Sequence, residues 1–115
     1  MDQITFALGI SGISTAINSW VFKGDEEAPG VQIDIMIERA DRAINLCEVK
    51  FSFNNFILTK DYVKKIQLKR SVFTQVSGIR YSLLTTLITV LPPVENSWLN
   101  QEIDDIVTLD DLFRA

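Results

Sequence analysis

Residues 30–51, GVQIDIMIERADRAINLCEVKF, decide the fold of this chain. They contain two strand-like apolar runs, about 31–38 and 43–51, and the polar residues between the runs predict a tight turn and an antiparallel hairpin. Alternation places Ile33, Ile35 and Ile37 on one face and Met36 on the other. Strands that are apolar on both faces belong in a sheet that is covered on both sides.

Three charged side chains interrupt these apolar runs: Asp34 in the first, and Glu48 and Lys50 in the second. A turn centred on Asp41 sets Asp34 directly opposite Glu48, with their Cβ atoms about 5 Å apart. Lys50, two residues further along, then shares that face. A turn centred half a residue away would instead set Asp34 opposite Cys47 and send Glu48 to the other face. The hairpin register therefore decides whether the two carboxylates can act together.

Two carboxylates can hold a hard divalent cation, and an adjacent amine can position a water for phosphodiester hydrolysis. Because the chain has no histidine, its metal site must be rich in oxygen, which favours Mg²⁺ or Mn²⁺ over zinc. We expect Asp34, Glu48 and the backbone carbonyl of Val49 to be the ligands. Lys50 is expected to orient the attacking water or stabilise charge on the phosphate. The alternative is a half-exposed strand on which Glu48 and Lys50 are surface residues and Asp34 is their salt-bridge partner.

The rest of the chain extends this hairpin into an α/β fold. The other predicted elements are a short helix over 2–9, a strand over 15–23, a helix from the N-cap Thr59 to about 76, a strand over 80–90, a polar loop, a short strand over 106–109 and a turn over 110–113. The order α-β-β-β-α-β predicts a mixed central sheet flanked by helices. We see one domain, spanning 1–115.

The long helix carries a basic cluster and an apolar stripe. The basic residues are Lys60, Lys64, Lys65, Lys69 and Arg70, and the stripe predicted to be buried is Tyr62, Val63, Ile66, Phe73 and Val76. The basic face can follow a DNA backbone, with Lys60, Lys64 and Gln67 as the contacts, and Lys60 or Gln67 can reach toward the metal site. An ordinary solvated helix face with extended lysines is the alternative.

Composition sets further bounds. One cysteine, Cys47, excludes an internal disulfide and suits the cytoplasm, and we interpret it as a core residue. No run approaches the roughly 20 apolar residues of a membrane span, so no membrane association is expected. The net charge of −4 does not by itself indicate a nucleic-acid binder, but the basic helix allows a local binding surface.

Several stretches resemble a known group of nucleases. The Asp on the second strand and the Glu-x-Lys on the third resemble the PD-(D/E)xK superfamily, whose restriction-endonuclease-like core has the same element order. The segments 7–12 (ALGISG), 32–34 (QID), 44–52 (INLCEVKFS) and 107–113 (VTLDDLF) resemble the C-terminal domain of a bacterial AAA-type ATPase family. This resemblance implies a Mg²⁺-dependent DNA endonuclease whose core positions are Asp34, Glu48 and Lys50.

The resemblance also implies a partner, and the sequence differs from the family pattern in two respects. The partner is an N-terminal AAA-type ATPase module, in cis or in trans, so that this chain is expected to be a C-terminal fragment of a larger ATPase. The first helix is shorter than in that family and lacks its extra Glu, which suggests a truncated helix, and Ile33 stands where the superfamily motif has proline. The competing functions are an active nuclease, a catalytically silent module that binds DNA or a partner domain, and a scaffold that forms a homodimer.

Overall fold

A computed structural model of the chain describes residues 2–10 and 12–113, which form an α/β fold. Its elements are α1 (Asp2–Ala7), β1 (Thr15–Phe22), β2 (Val31–Arg39), β3 (Ala43–Lys50), α2 (Lys60–Ser77), β4 (Ser82–Thr89), α3 (Ser97–Glu102), β5 (Asp105–Thr108) and α4 (Leu109–Phe113). The order α-β-β-β-α-β is as predicted. The polar loop after β4 was predicted without a helix, and the structure instead has α3 there, begun by Asn96, whose side chain accepts a hydrogen bond from the Leu99 amide at 2.8 Å.

The strands form one mixed sheet with the order β1-β2-β3-β4-β5. The first three strands are antiparallel neighbours, whereas β4 is parallel to β3 and β5 is parallel to β4. A parallel connection between adjacent strands needs a crossover, and α2 provides it between β3 and β4.

Apolar side chains cover both faces of this sheet, as the sequence predicts. On one face α2 packs through Phe73 against Ile33, Met36, Ile44 and Leu46. A further cluster joins α2 to β4 and α3 on that face; its buried members are Leu58, Val63, Ile66, Leu87 and Leu99. The other face buries Ile4, Ile10, Ile37, Cys47, Ile88 and Val107 beneath α1 and α4. The helices therefore form a layer on each side, and we call the two sides the α2 face and the α1 face.

The hairpin has the register that the sequence predicts. Ile35 lies opposite Cys47 and Met36 opposite Leu46, across a loop of residues 40–42 centred on Asp41. Arg42 has a left-handed backbone (φ 62°) and donates its N–H to the Arg39 carbonyl at 3.1 Å. A three-residue hairpin loop commonly ends in such a residue. The next pair of positions in this register is Asp34 and Glu48, just beyond the last hydrogen-bonded pair of β2 and β3.

A β-bulge interrupts β2 where it pairs with β1. Asn18 lies opposite Met36 and Trp20 opposite Ile33, so the single residue Ser19 faces both Asp34 and Ile35. The extra residue shifts the alternation, and Ile33 joins the cluster beneath α2 while Ile35 packs on the α1 face. The prediction that Ile33 shares a face with Ile35 is therefore wrong, because it assumed an unbroken period of two.

Helix α2 follows the predicted boundaries closely. Thr59 is the N-cap, and Gly78 ends the helix in a left-handed conformation with φ 69°. The buried residues are Val63, Ile66, Val72 and Phe73. Val76 was predicted to be buried but is 42% exposed, although it lies one turn beyond the buried Val72 on the same side of the helix. Within the described residues, no helix is long and apolar enough to cross a membrane.

Candidate functional site

Asp34 lies on the exposed surface at the bulge, beside the start of β2. The Gln32 amide donates a hydrogen bond from Nε2 to Asp34 Oδ1 at 2.9 Å. Asp34 and Gln32 line a cavity of about 430 Å³ with Lys65, Leu68 and Lys69 of α2. Bulges commonly redirect a side chain at a functional site. Here the bulged residue is a carboxylate that borders an open cavity with two lysines.

Glu48 points to the same helix and is held by two of its side chains. Lys69 donates from Nζ to Oε1 at 3.0 Å and to Oε2 at 3.2 Å, and the Tyr62 hydroxyl donates to Oε2 at 3.1 Å. The Glu48 side chain is only 13% exposed. A carboxylate this sheltered needs such partners, since an unpaired buried charge is strongly unfavourable. The alternative in which Asp34 pairs with Glu48 and Lys50 is not the arrangement found: the cation beside Glu48 is Lys69.

Lys50 lies on the α2 face at the end of β3. Its ammonium is 4.8 Å from the centroid of the Tyr62 ring, within the range of a cation–π contact. That ring in turn packs edge-on against Phe56, with centroids 5.3 Å apart. Tyr62 therefore contacts both Glu48 and Lys50 and fixes their positions relative to α2.

The charges of both carboxylates affect the pKa of Tyr62. Burial, followed by the charge of Glu48 and its hydrogen bond and then by the charge of Asp34, raises the pKa of the Tyr62 hydroxyl well above its usual value. The hydroxyl thus stays protonated and remains a hydrogen-bond donor at neutral pH. Because both carboxylates act on one phenol, Asp34 and Glu48 belong to a single electrostatic neighbourhood.

Val49 and Cys47, next to Glu48 in β3, face the opposite side of the sheet. The Val49 side chain packs against the α1-face cluster, so the predicted ligand at this position could only be its backbone carbonyl. Cys47 is buried in that cluster, as predicted, and burial followed by the charges of Glu48 and Asp105 raises the pKa of its thiol to about 12.

The predicted DNA contacts are spread along α2. Lys60 and Lys64 are exposed, near the N-terminus of the helix. Gln67 is also exposed and approaches α3, where its Nε2 lies 3.5 Å from Glu102 Oε2. Its amide is therefore turned to α3, whereas Lys69 is the residue that reaches Glu48.

The predicted site residues do not include Tyr62 and Lys69, the two partners of Glu48. The sequence places Tyr62 in the buried stripe and Lys69 in the basic cluster. Their separation of two helical turns places both on the same side of α2, which is a signal that the sequence contains. It could be used only once the face of α2 that meets β3 was known.

The donor set suits a hard cation better than a soft one. Within residues 2–10 and 12–113, no group of three or more His, Cys, Asp or Glu side chains is placed to hold a metal ion. Asp34 and Glu48 are two carboxylates, and Mg²⁺ commonly binds through one or two carboxylates with water and substrate phosphate completing its shell. The carboxylates of Asp34 and Glu48 are therefore the type of ligand that Mg²⁺ or Mn²⁺ prefers, and both oxygens of Glu48 already accept from Lys69.

The fold and this cluster define an α/β protein with a mixed five-stranded sheet and two acidic side chains beside the crossover helix. No protein-family model matches the chain, and no curated protein matches it. The chain is similar in fold to the crystal structure of AF1548, a protein of unknown function, with a TM-score of 0.60 and 16% sequence identity. The match covers 96% of this chain and 61% of that one. At this identity the likeness concerns the fold alone.

Proposed function

We propose that this chain is a Mg²⁺- or Mn²⁺-dependent phosphodiesterase domain of the PD-(D/E)xK type that acts on DNA. The observation that carries the proposal is the combination of hairpin register and bulge. The pairing of β2 with β3 ends at Ile35 opposite Cys47, one position before Asp34 and Glu48, and the bulge exposes Asp34 beside a cavity that also borders Lys69. Lys50 lies near Glu48 because both contact Tyr62, Lys50 at its ring and Glu48 at its hydroxyl.

In this proposal each side chain has a separate task. Asp34 and Glu48 would hold the cation, with the Val49 carbonyl as a third protein ligand. When bound, the cation supplies Lewis-acid polarisation of a phosphoryl oxygen and lowers the pKa of a coordinated water. Lys50 orients the attacking water or balances the charge that develops on the phosphate. Tyr62 keeps Lys50 and Glu48 in place, because its ring and its hydroxyl contact one of them each.

The basic residues of α2 supply the substrate contacts in the proposal. Lys60, Lys64 and Lys65 are exposed along the helix, and their ammonium groups suit the phosphates of a DNA backbone. Gln67 would add a polar contact if its amide left Glu102. We further propose an AAA-type ATPase module, in cis or in trans, as the partner, on the basis of the sequence resemblance. A homodimer is an alternative assembly.

One observation favours a second candidate, a catalytically silent nuclease-like module that binds DNA or a partner domain. Both carboxylate oxygens of Glu48 already accept hydrogen bonds from α2. A cation would have to replace Lys69, and if it cannot, Glu48 serves only to anchor α2 to the sheet.

Metal binding and metal-dependent cleavage test the two candidates together. We would measure the melting temperature with and without Mn²⁺ for the wild type and for Asp34→Ala. Plasmid, linear and branched DNA would then be incubated with Mg²⁺ or Mn²⁺ and the wild type or Lys50→Ala. For the nuclease, Mn²⁺ raises the melting temperature, Asp34→Ala removes that rise, and Lys50→Ala loses cleavage.

Exposed residues outside the site provide matched controls. Glu26→Ala removes a carboxylate from the loop before β2, and Lys23→Ala removes an amine from the same loop, so both should behave as the wild type. Retained Mn²⁺ binding without cleavage would favour the silent module. No Mn²⁺ effect on the wild type would contradict a metal site at Asp34 and Glu48.

A further inference from the structure

The chain exposes an unusual group of apolar side chains at the end of β3 and β4. Phe53 is 94% exposed, Phe51 68% and Ile57 58%, all in the connector between β3 and α2. Leu91 and Val94, in the segment that follows β4, are also exposed. We call these five residues the apolar rim. Large exposed apolar groups that lie together commonly mark a binding surface.

Hydrogen bonds hold the two segments of the rim together. The Val94 amide donates to the Phe56 carbonyl at 2.8 Å, and Asn55 Nδ2 donates to the Pro92 carbonyl at 2.6 Å. Asn96 Nδ2 donates to the Leu58 carbonyl at 3.1 Å. The rim is thus built on a tied pair of loops, and it presents its phenyl rings without burying them.

The rim is continuous with the candidate site. β3 and β4 are parallel neighbours and Lys50 lies opposite Thr89, so the connectors that follow both strands leave the sheet at the same edge. Phe51 directly follows Lys50, and the connector leads into Lys60 and Lys64 of α2. No acidic residue lies between Glu48 and Asp61 in the sequence. The phenyl rings therefore lie in a segment bounded by amines.

We infer that the apolar rim binds unpaired bases of a DNA strand, so that the substrate class is single-stranded or branched DNA rather than continuous duplex. This inference rests on the proposed function, because it assigns the substrate of the same site. Exposed phenyl rings stack on bases of any sequence, while nearby amines contact the phosphates between them. In a continuous duplex the base faces are covered by their neighbours and offer Phe53 nothing to stack on.

Binding without metal tests the inference apart from cleavage. Fluorescence anisotropy in EDTA would compare a labelled single strand, a fork and a blunt duplex of equal length, for the wild type and for Phe53→Ala. We expect the single strand and the fork to bind more tightly than the duplex. Phe53→Ala should weaken binding to the single strand by about tenfold and leave duplex binding little changed. Because Phe53 is 94% exposed, its replacement should not disturb folding.

Two further variants separate stacking from general apolar contact. Phe53→Trp should keep the affinity, and its indole fluorescence should be quenched by the single strand, whereas Phe53→Leu should behave as Phe53→Ala. Tyr81→Ala, which removes an exposed aromatic ring just before β4, is the matched control and should bind as the wild type.

Three outcomes would overturn the inference. One is equal affinity for single strand and duplex, and another is unchanged single-strand binding by Phe53→Ala. The third is a concentration-dependent dimer in sedimentation that Phe53→Ala abolishes, with no loss of DNA binding, which would assign the rim to a second copy. A failure of the proposed function would give a different result: Mn²⁺ binding or cleavage would be absent, while the preference for single-stranded DNA would remain.

Discussion

At the residue scale, Lys69 holds Glu48 in an ion pair with which the proposed cation would compete. Lys69 contacts both of its carboxylate oxygens, and the Lys69 side chain is itself only 28% exposed. A paired, partly buried carboxylate is stable without metal, and the proposed cation would have to displace the lysine in order to bind. In the proposed function, Lys69 would therefore set how readily Glu48 is released.

Replacement of Lys69 by Met tests this competition. Lys69→Met keeps much of the aliphatic side chain but removes the amine, so we expect the metal-free protein to lose about 1–3 kcal/mol of unfolding free energy. The rise in melting temperature with Mn²⁺ should become larger than in the wild type, because the Lys69 ammonium no longer competes for Glu48. Lys64→Met, at an exposed position of the same helix, should change neither quantity. A smaller Mn²⁺ effect in Lys69→Met would mean that Lys69 assists binding.

Cys47 is expected to make the stability of the native state depend on pH in the alkaline range. Its pKa is raised from 9.0 to about 12, so the native state holds the thiol proton more tightly than the unfolded chain does. The contribution to stability is complete below pH 9 and is lost as the pH rises toward 12. The cause is mainly burial on the α1 face.

Cys47→Ala should remove this part of the pH dependence. We expect the variant to be less stable by about 1 kcal/mol at pH 7, because a small cavity replaces the sulfur. Its unfolding free energy should fall less steeply than that of the wild type between pH 9 and pH 11, as measured by urea denaturation. Parallel curves would show that burial does not hold the thiol proton in the native state. The raised Tyr62 pKa is common to both proteins and cancels in the comparison.

At the element scale, α2 packs on the sheet, contacts the candidate site and begins at the end of the connector that follows β3. Its N-cap Thr59 accepts a hydrogen bond at Oγ1 from the backbone N–H of Tyr62 at 3.2 Å. The cap therefore positions the same residue whose side chain contacts Glu48 and Lys50. Helix ends leave unpaired N–H groups that a threonine hydroxyl can satisfy.

Loss of this cap should be measurable as a loss of stability. Thr59→Ala is expected to lower the unfolding free energy by about 1 kcal/mol, whereas Thr59→Ser keeps the hydroxyl and should remain within a few tenths of the wild type. Chemical denaturation measures both. Equal stability of the two variants would indicate that water replaces the cap without cost.

At the scale of the whole molecule, stability depends on covering both faces of the sheet. Phe73 of α2 is fully buried, and its ring meets the edge of Trp20 from β1 with centroids 5.1 Å apart. It thereby connects the crossover helix to the far strand of the antiparallel half. Domains of this size have only about 5–15 kcal/mol of net stability.

Removal of the Phe73 ring should therefore strongly destabilise the fold. We expect Phe73→Ala to lose about 3–5 kcal/mol, because the cavity lies between α2 and three strands. Val76→Ala, at an exposed position one turn further along α2, should cost less than 0.5 kcal/mol, as is usual for surface substitutions. Thermal unfolding followed by circular dichroism distinguishes them, and similar melting temperatures would contradict the assigned packing.

The features that the sequence determined by itself are local. The apolar runs, the turn centred on Asp41 and the cap and stop of α2 each depend on neighbouring residues, and the structure agrees with all of them. The order of elements and the coverage of both sheet faces follow from the same periodicities. The short α3 was missed because six residues carry too little periodic pattern.

Tertiary structure decided the features that depend on distant contacts. The bulge is a property of the pairing between β1 and β2, in which one residue of β1 faces two residues of β2. The alternation within β2 alone therefore could not predict the face taken by Ile33 or the exposure of Asp34. The partners of Glu48 depended on how α2 docks on the sheet, which brings Tyr62 and Lys69 to a carboxylate in β3. Periodicity assigns a side chain to a face, whereas the partner on that face is chosen by packing between elements far apart in sequence.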